Sequence, residues 1–270
     1  MKMKKIFSII SLLSLLMAAF LSCKKTGGDN VFSEYDIVDG NAKALIKINY
    51  AVAFYNNPSV QVKINDIRVS GLIQNRTPFP GGGFNTLGSN TGDYLPVDPG
   101  ANTKVSITIP KRGTNIDSLD VYTTTIATAA GKRYSLHVTD SLTRRSLLVD
   151  EDASIPDSGF VRMRFVNLMP TTPSVDLWVG TTKVASNIAY MSISDKFLVP
   201  TSQQTINTNW YVRVAGTVPA TVGASALATY SSASTFNNQR VYTVYAIGYP
   251  TYPSTGTDIR KPYVAFYYVR

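Results

Sequence analysis

The chain has 270 residues, of which 26 are Lys or Arg and 17 are Asp or Glu, so its formal net charge is +9. Charged residues make up only 16 % of the chain, and no run of basic residues is longer than two. Nucleic-acid binding requires a concentrated basic stripe, so we do not expect it here. With one histidine and one cysteine in the whole chain, we expect neither a metal site nor a cofactor.

The first 22 residues have the layout of an export signal. Three lysines within the first five residues precede an apolar run over residues 6–21, which is shorter than the roughly 20 residues that a membrane-spanning helix needs. The run leads to Cys23, and the Phe-Leu-Ser at 20–22 resembles the lipobox of bacterial lipoproteins. We therefore expect residues 1–22 to be a lipoprotein signal peptide and Cys23 to be lipidated. The alternative is a plain secretory signal with an incidental cysteine.

Residues 23–40 have the composition of a flexible tether. From residue 24 onward they contain four acidic residues, two lysines and two adjacent glycines. Lys24, directly after the cysteine, gives no clear signal for retention in the inner membrane. We therefore predict a membrane-anchored lipoprotein of the cell envelope, located at the outer membrane.

An internal repeat follows the tether. At a shift of 115 positions, Ile-Lys-Ile at 46–48 falls on Val-Arg-Met at 161–163, and Pro-Ser-Val at 58–60 falls on Pro-Ser-Val at 173–175. Two copies of one domain explain this match. Later correspondences need a shorter shift, which indicates an insertion in the first copy over residues 78–92. The predicted organisation is a divergent first domain at 41–152, a polar linker at 153–159 and a second domain at 160–270.

Apolar residues recur with a period of two in both copies. Val60, Val62 and Ile64 show the pattern in the first copy, and residues 175, 177 and 179 repeat it in the second. This alternation is typical of a strand with one face in a core and the other in water. Turn-forming residues separate the short strands, so we predict an all-β fold of two tandem antiparallel β-sandwich domains of the immunoglobulin-like type.

The second copy carries motifs that resemble a known family. Residues 160–170 read F-V-R-M-R-F-V-N-L-M-P, residues 173–180 read P-S-V-D-L-W-V-G, and residues 198–200 read L-V-P. These segments resemble the domain-of-unknown-function family 4397. The first copy departs from the pattern, since Asn-Tyr-Ala at 49–51 replaces Arg-Phe-Val and Gln61 replaces the aspartate. The resemblance implies an exported or cell-surface β-sandwich, often a lipoprotein, and it offers no catalytic residue.

The titratable side chains give no catalytic motif. His137 lies in a strand-like segment opposite Leu136 and Val138, so we expect it to be solvent-facing or half-buried. No serine or cysteine nucleophile can be paired with it by motif, and we predict that the protein is not an enzyme. The three acids at 150–152 have the oxygen ligands that calcium takes, but solvation is the interpretation we favour. A glycan hydrolase that uses carboxylates remains a remote alternative.

Aromatic residues are the best ligand-binding candidates. Phe79 and Phe84 flank the three glycines at 81–83, in what we expect to be a mobile loop with exposed rings. Nine of the 16 tyrosines follow residue 208, and of these Tyr249 and Tyr252 bracket a proline in a loop. A tyrosine ring suits stacking on sugars or docking to proteins, although tyrosine also packs well in strands.

The predicted function is a non-enzymatic, lipid-anchored protein of the cell envelope whose two sandwiches serve in adhesion or ligand binding. Its expected partners are membrane lipid, through Cys23, and a polysaccharide or a surface protein. The alternative is a structural spacer or an assembly component of an envelope complex. Fold alone does not decide between them.

Overall fold

We describe a computed structural model of the chain. It describes residues 39–87, 94–114, 116–201, 208–232 and 236–270, and the span Asp39–Arg270 forms one compact unit. The predicted export signal, Cys23 and the tether up to residue 38 lie outside the described residues. Within those ranges, the chain contains no helix that could span a bilayer.

The described part of the first copy folds into two sheets. Its strands are β1 (Ala44–Tyr50), β2 (Gln61–Ile64), β3 (Ile67–Arg68), β4 (Thr77–Phe79), β5 (Gly83–Phe84), β6 (Leu95–Val97), β7 (Gly100–Pro110), β8 (Asp117–Thr128), β9 (Arg133–Thr139) and β10 (Arg145–Asp150). Sheet 1 has the order β10-β9-β1-β4, with β6 also paired to β1, and sheet 2 has the order β3-β2-β7-β8. The alternating apolar residues of both sheets, such as Ile48, Val62 and Ile107, meet in one core.

The second copy repeats this arrangement. Its strands are β11 (Phe160–Asn167), β12 (Ser174–Val179), β13 (Thr182–Ala189), β14 (Ser192–Ile193), β15 (Phe197–Pro200), β16 (Thr208–Val214), β17 (Ala228–Ser232), β18 (Val241–Ile247) and β19 (Tyr263–Tyr268). Sheet 3 has the order β14-β11-β18-β19-β5, with β15 also on β11, and sheet 4 has the order β13-β12-β16-β17. Trp210, Phe236 and Phe266 lie at the centre of its core.

The predicted all-β sandwich fold is confirmed, with one difference in strand direction. β1 pairs with β9 in parallel, and β11 pairs with β18 in parallel, whereas the other pairs are antiparallel. Between the two parallel strands of each copy the chain crosses to the opposite sheet and back twice, through β2–β3 and β7–β8 in the first copy and through β12–β13 and β16–β17 in the second. The second strand therefore runs beside the first in the same direction. Since both copies share this feature, the repeat seen in the sequence is also a repeat of topology.

Sheets 1 and 3 pack against each other through their outward faces. Ala51 and Leu147 of sheet 1 meet Val166, Tyr245 and Tyr267 of sheet 3 in a third apolar cluster. The four sheets are thus stacked in the order 2, 1, 3, 4, and the two middle sheets are buried on both sides. The expectation that each strand has one face in water is wrong for these middle strands, because the outward face of each middle sheet packs against the other copy.

The insertion in the first copy joins the two sandwiches. β4 pairs with β1 in sheet 1, and five residues later β5 pairs with β19 in sheet 3. At Gly83 a Cβ atom would lie 2.4 Å from the carbonyl oxygen of Phe266, so only glycine allows this approach. Asn85 then donates its Nδ2–H to the carbonyl of Val264 at 2.7 Å. The mobile loop predicted at glycines 81–83 is therefore limited to the short connection 80–82 between two paired strands, while residues 88–93 lie outside the described residues.

Phe84 is expected to stabilise the second copy although it belongs to the first. Its half-buried ring packs at centroid distances of 5.3 Å from Phe236 and 5.7 Å from Tyr242. Because a fully buried phenylalanine costs about 3–5 kcal/mol when cut to alanine, we expect Phe84→Ala to lower the free energy of unfolding by about 2 kcal/mol. Both tryptophans, Trp178 and Trp210, lie in the second copy, so tryptophan fluorescence during urea unfolding measures this effect there.

The matched control is Leu142→Ala, because Leu142 is 81 % exposed in the first copy. This change is expected to move the free energy of unfolding by less than about 0.5 kcal/mol. An unchanged urea midpoint for Phe84→Ala would show that β5 does not support the second sandwich.

Candidate functional site

Polar side chains run through the middle of the junction between sheets 1 and 3. Lys47 and Asn49 project from the outward face of β1, His137 from β9 and Tyr267 from β19, and all four are fully buried. They point outward because the residues between them, such as Ile48, fill the first core. Burial of so many polar groups requires that each finds a partner across the junction.

Three of these groups, Asn49, His137 and Tyr267, form a continuous chain of hydrogen bonds that ends at Glu151. Asn49 Nδ2 lies 3.1 Å from His137 Nδ1, His137 Nε2 lies 3.3 Å from the hydroxyl of Tyr267, and that hydroxyl lies 2.5 Å from Oε1 of Glu151. An ionised carboxylate only accepts, so the hydroxyl donates to Glu151 and accepts from Nε2–H. Asn49 then donates to the unprotonated Nδ1. One neutral tautomer of His137 therefore satisfies both of its neighbours.

The two charged members of the junction come from the first copy and are bound by the second. Glu151 also accepts a hydrogen bond from the hydroxyl of Thr243 at 3.3 Å. Lys47 donates to the carbonyl oxygen of Tyr268 at 2.5 Å, and its ammonium group lies 4.7 Å from the ring centre of Tyr94. The second copy thus supplies hydrogen-bond partners for both charged groups.

Burial lowers the pKa of His137 from its ordinary value to about 3, so the ring is neutral at pH 7. Burial also raises the pKa of Tyr267 well above 10, and the charge of Glu151 raises it further. The solvent-facing or half-buried position expected for His137 is wrong, because sheet 3 covers the outward face of β9. The ring has no exposed surface, so in this structure no substrate can reach it.

A cleft of about 710 Å³ opens at the end of the junction where Glu151 lies. Both copies line it, since its walls include residues 40, 41, 45 and 131–133 of the first and Arg164, Lys196 and Arg270 of the second. Its charged side chains are five cations, Lys132, Arg133, Arg164, Lys196 and Arg270, and three anions, Asp150, Glu151 and Asp152. The walls therefore carry an excess of positive charge.

The three acids of the cleft are already engaged, each in a different direction. Asp150 pairs with Lys132 at 3.1 Å, Glu151 points into the junction, and Asp152 forms an ion pair with Lys196. The hydrogen bond from Lys196 is the main reason that the pKa of Asp152 lies below its ordinary value. In the described ranges, no group of three or more His, Cys, Asp or Glu residues is placed to hold a metal ion. The arrangement of 150–152 thus gives no support to calcium binding.

Three arginines of the cleft have no carboxylate partner among the described residues. Within the part of the chain that the structure describes, Arg133, Arg164 and Arg270 form no ion pair. The Nη1 of Arg133 and the Nε of Arg164 are buried and have no hydrogen-bond acceptor there. These two N–H groups have no exposed surface, so a ligand in the cleft would meet the other atoms of the two guanidinium groups.

A comparison with family models gives two matches for this chain. The model described as "Domain of unknown function (DUF4397)" matches residues 47–178 and 161–258. Together the two matches cover more than half of the chain. The chain belongs to the DUF4397 family. This confirms the resemblance seen in the sequence and extends it to the first copy, while no curated protein matches the chain.

The aspartate of the DUF4397 motif has a structural role in the second copy. Asp176 is fully buried and accepts hydrogen bonds from the backbone N–H of Asn187 at 2.7 Å and of Gly216 at 3.2 Å. In the first copy the corresponding residue is Gln61, which donates to the carboxylate of Asp117 at 2.8 Å. The divergent DUF4397 copy therefore keeps a carboxylate at this place but takes it from another strand.

The structure places the predicted ligand-binding phenylalanines within packed regions. Phe79 is half-buried in β4 against the first core, and Phe84 is half-buried against the second core. The exposed rings expected at both positions are therefore not found. Their place in ligand binding stays a prediction, but each ring has less free surface than the sequence suggested.

The predicted tyrosines lie together at the opposite end of the junction from the cleft. The hydroxyl of Tyr249 lies 2.9 Å from Ser141 Oγ and 3.1 Å from Asp140 Oδ1, so this tyrosine connects the second copy to the first. Tyr252 packs edge-on against it with a centroid distance of 6.4 Å. The loop position predicted for both is confirmed, and Tyr249 is nearly buried.

Tyr252 also forms part of a small aromatic shelf. The guanidinium of Arg260 lies 4.1 Å from its ring centre and 4.9 Å from that of Tyr55 in the first copy. Asp258 holds this guanidinium through contacts of 3.0 and 2.7 Å, and these hydrogen bonds lower the pKa of Asp258 to about 2. Tyr55 is 72 % exposed, which leaves one face of the shelf open.

Sequence reasoning missed the residues of the junction and the cleft. Lys47, His137 and Arg164 occupy outward positions on apolar strands, where a polar residue ordinarily faces water, and Glu151 directly follows such a strand. A weak signal was present, because Lys47 and Arg162 fall on each other in the repeat and mark the same face of β1 and β11. This signal could not indicate that the outward faces of β1 and β11 pack against each other.

The buried His137 is expected to make stability depend on pH. Its folded pKa of about 3 lies below its ordinary value of 6.5, so the unfolded chain binds the proton more tightly. Stability is therefore complete above the unfolded pKa and is lost as the pH falls toward 3. Between pH 7 and pH 5 we expect a loss of about 2 kcal/mol in the free energy of unfolding, measured by urea titration.

The variant His137→Gln is the control, since the chain has one histidine. It should be less stable at pH 7 but should show little change between pH 7 and pH 5. An equal slope in both proteins would mean that the carboxylates, and not His137, control stability in this range.

Proposed function

We propose that this chain is a lipid-anchored, non-enzymatic protein of the cell envelope that binds a ligand in the cleft between its two DUF4397 copies. The observation that supports this proposal is the set of arginines in the cleft that have no carboxylate partner in the described part of the chain. A site that holds charge without neutralising it is poised for a ligand of opposite charge.

The stacking of the sheets favours binding over a spacer role. Stacked sheets lie about 10 Å apart, so the second copy adds only about 20 Å to the first in the stacking direction. A spacer gains more reach when its domains are joined end to end. Face-to-face packing instead creates a surface, at the end of the junction, that neither copy has alone.

The membrane anchor in this proposal is Cys23, through membrane lipid, at the outer membrane. Residues 24–40 connect it to the body, and Gly40 and Asn41 at the end of this segment border the cleft. A fully extended chain spans at most about 3.6 Å per residue, so the cleft can lie no more than about 60 Å from the lipidated cysteine. The ligand would then be a component of the envelope or a molecule that reaches it.

Lipidation predicts a mass increase on the N-terminal peptide of the mature protein. We expect mass spectrometry of the membrane fraction to find cleavage after residue 22 and acyl chains on Cys23, because stable anchoring needs more than one chain. Cys23→Ser should remain unprocessed and without acyl groups. An unmodified Cys23 in the mature chain would contradict the anchor.

Ligand binding is tested with a soluble fragment of residues 24–270, which contains the compact unit Asp39–Arg270. We expect it to retain at least one envelope polysaccharide or surface protein in a glycan array and a pull-down. Excess unlabelled fragment is the control for nonspecific retention, and it should abolish the signal. If nothing is retained, the binding function fails and the structural spacer or assembly role becomes the better explanation.

A further inference from the structure

The proposed function does not identify the ligand, but the residues that line the cleft indicate its chemical class. Arg133 is the first residue of β9 in sheet 1, and Arg164 lies within β11 in sheet 3. The two guanidinium groups therefore approach the cleft from facing sheets. Both residues line the cleft, and neither forms an ion pair with a carboxylate among the described residues. An anionic group in the cleft would supply that partner.

The surroundings hold both guanidinium groups in place. Arg133 lies 5.7 Å from the ring centre of Tyr94, and the Nη1 of Arg164 donates to the carbonyl oxygen of Asp150 at 3.4 Å. A planar guanidinium held in this way matches the two oxygens of a carboxylate in a bidentate pair. Arg270 donates to the carbonyl of Ala153 at 3.1 Å and adds a third positive charge at the rim.

The rest of the lining favours a ligand that carries many hydroxyl groups. Leu45 and Ala153 are the apolar side chains among the lining residues, apart from glycines. The remaining side chains offer donors, as on Asn41 and Lys132, and acceptors, as on Asp150. Sugar hydroxyls donate and accept, so they can use both kinds of group. An acidic peptide would need apolar pockets for its neighbouring side chains, and these walls provide few.

We infer that the cleft binds an acidic saccharide and that Arg133 and Arg164 hold its carboxylate group. This inference rests on the proposed function and names its ligand class. The volume of about 710 Å³ falls within the range of about 300–1,000 Å³ that is usual for ligand sites. The open end of the cleft allows the rest of a longer glycan to continue into solvent.

The test is isothermal titration calorimetry of the 24–270 fragment with hexagalacturonate as the probe, at low ionic strength. A charge-assisted hydrogen bond is strong enough that we expect Arg164→Gln and Arg133→Gln each to weaken binding about tenfold or more. Arg164→Lys should bind with intermediate affinity, because it keeps the positive charge but loses the two parallel N–H donors of the guanidinium group. A rise in salt should weaken the wild-type complex.

The matched control is Arg145→Gln, which removes the same charge from the far end of β10, where the side chain is exposed. Its affinity should stay within about twofold of the wild type. The thermal unfolding of each variant is also measured. A loss of binding with an unchanged melting temperature is then assigned to the cleft. If an arginine variant fails to fold, the salt dependence and Arg164→Lys still test the inference.

Two further probes decide the ligand class. Carboxyl-reduced hexagalacturonate keeps the ring hydroxyls and carries an uncharged hydroxymethyl group in place of each carboxylate, and it should not bind. Hexaglutamate should bind more weakly than hexagalacturonate, and tighter binding of the peptide would overturn the saccharide assignment. Equal binding by wild type and Arg164→Gln would overturn the site. If the glycan array finds a ligand that the cleft variants still bind, this inference fails and the proposed binding function stands. If the array and the pull-down find no ligand, both the inference and the proposed binding function fail.

Discussion

The mutual burial of sheets 1 and 3 is the constraint on which the rest of the molecule depends. It places Lys47 and Glu151 of the first copy, both charged, where the second copy supplies hydrogen-bond partners to each. Removing the partners of a buried charge costs several kcal/mol, so the relative position of the two sandwiches is fixed by polar contacts as well as by apolar area. The orientation of His137 and the walls of the cleft follow from that position.

The donated strand β5 completes this arrangement. Without it, β19 would present an open edge, and an unpaired edge invites pairing with another chain. The insertion closes the edge with backbone from the first copy and places Phe84 beside Phe236 of the second. The segment that looked most dispensable in the sequence is thus part of the second sandwich, and its glycine at position 83 is required by a backbone contact rather than by a turn.

The sequence was sufficient to predict the repeat, the strand periodicity, the all-β fold and the family. It was not sufficient for the junction, because alternation identifies the face of a strand that enters its own core and says nothing about a second domain covering the other face. His137 was misplaced for this reason. The pairing of β5 with β19 could not be predicted for a different reason. Asn85 and its partner Val264 are 179 residues apart and share no local pattern. Tyr249 was correctly placed in a loop, but its contact with Asp140 depends on the same junction.

The position of Gly40 and Asn41 at the rim of the cleft has a mechanical consequence. A ligand held between Arg133 and Arg164 would pull on the protein at the same end where the chain leaves for the tether. The load would pass from the cleft to residue 40 over a few residues, and sheets 2 and 4 would lie outside its path. The proposed ligand would therefore load sheets 1 and 3 directly, and the outer sheets only through them.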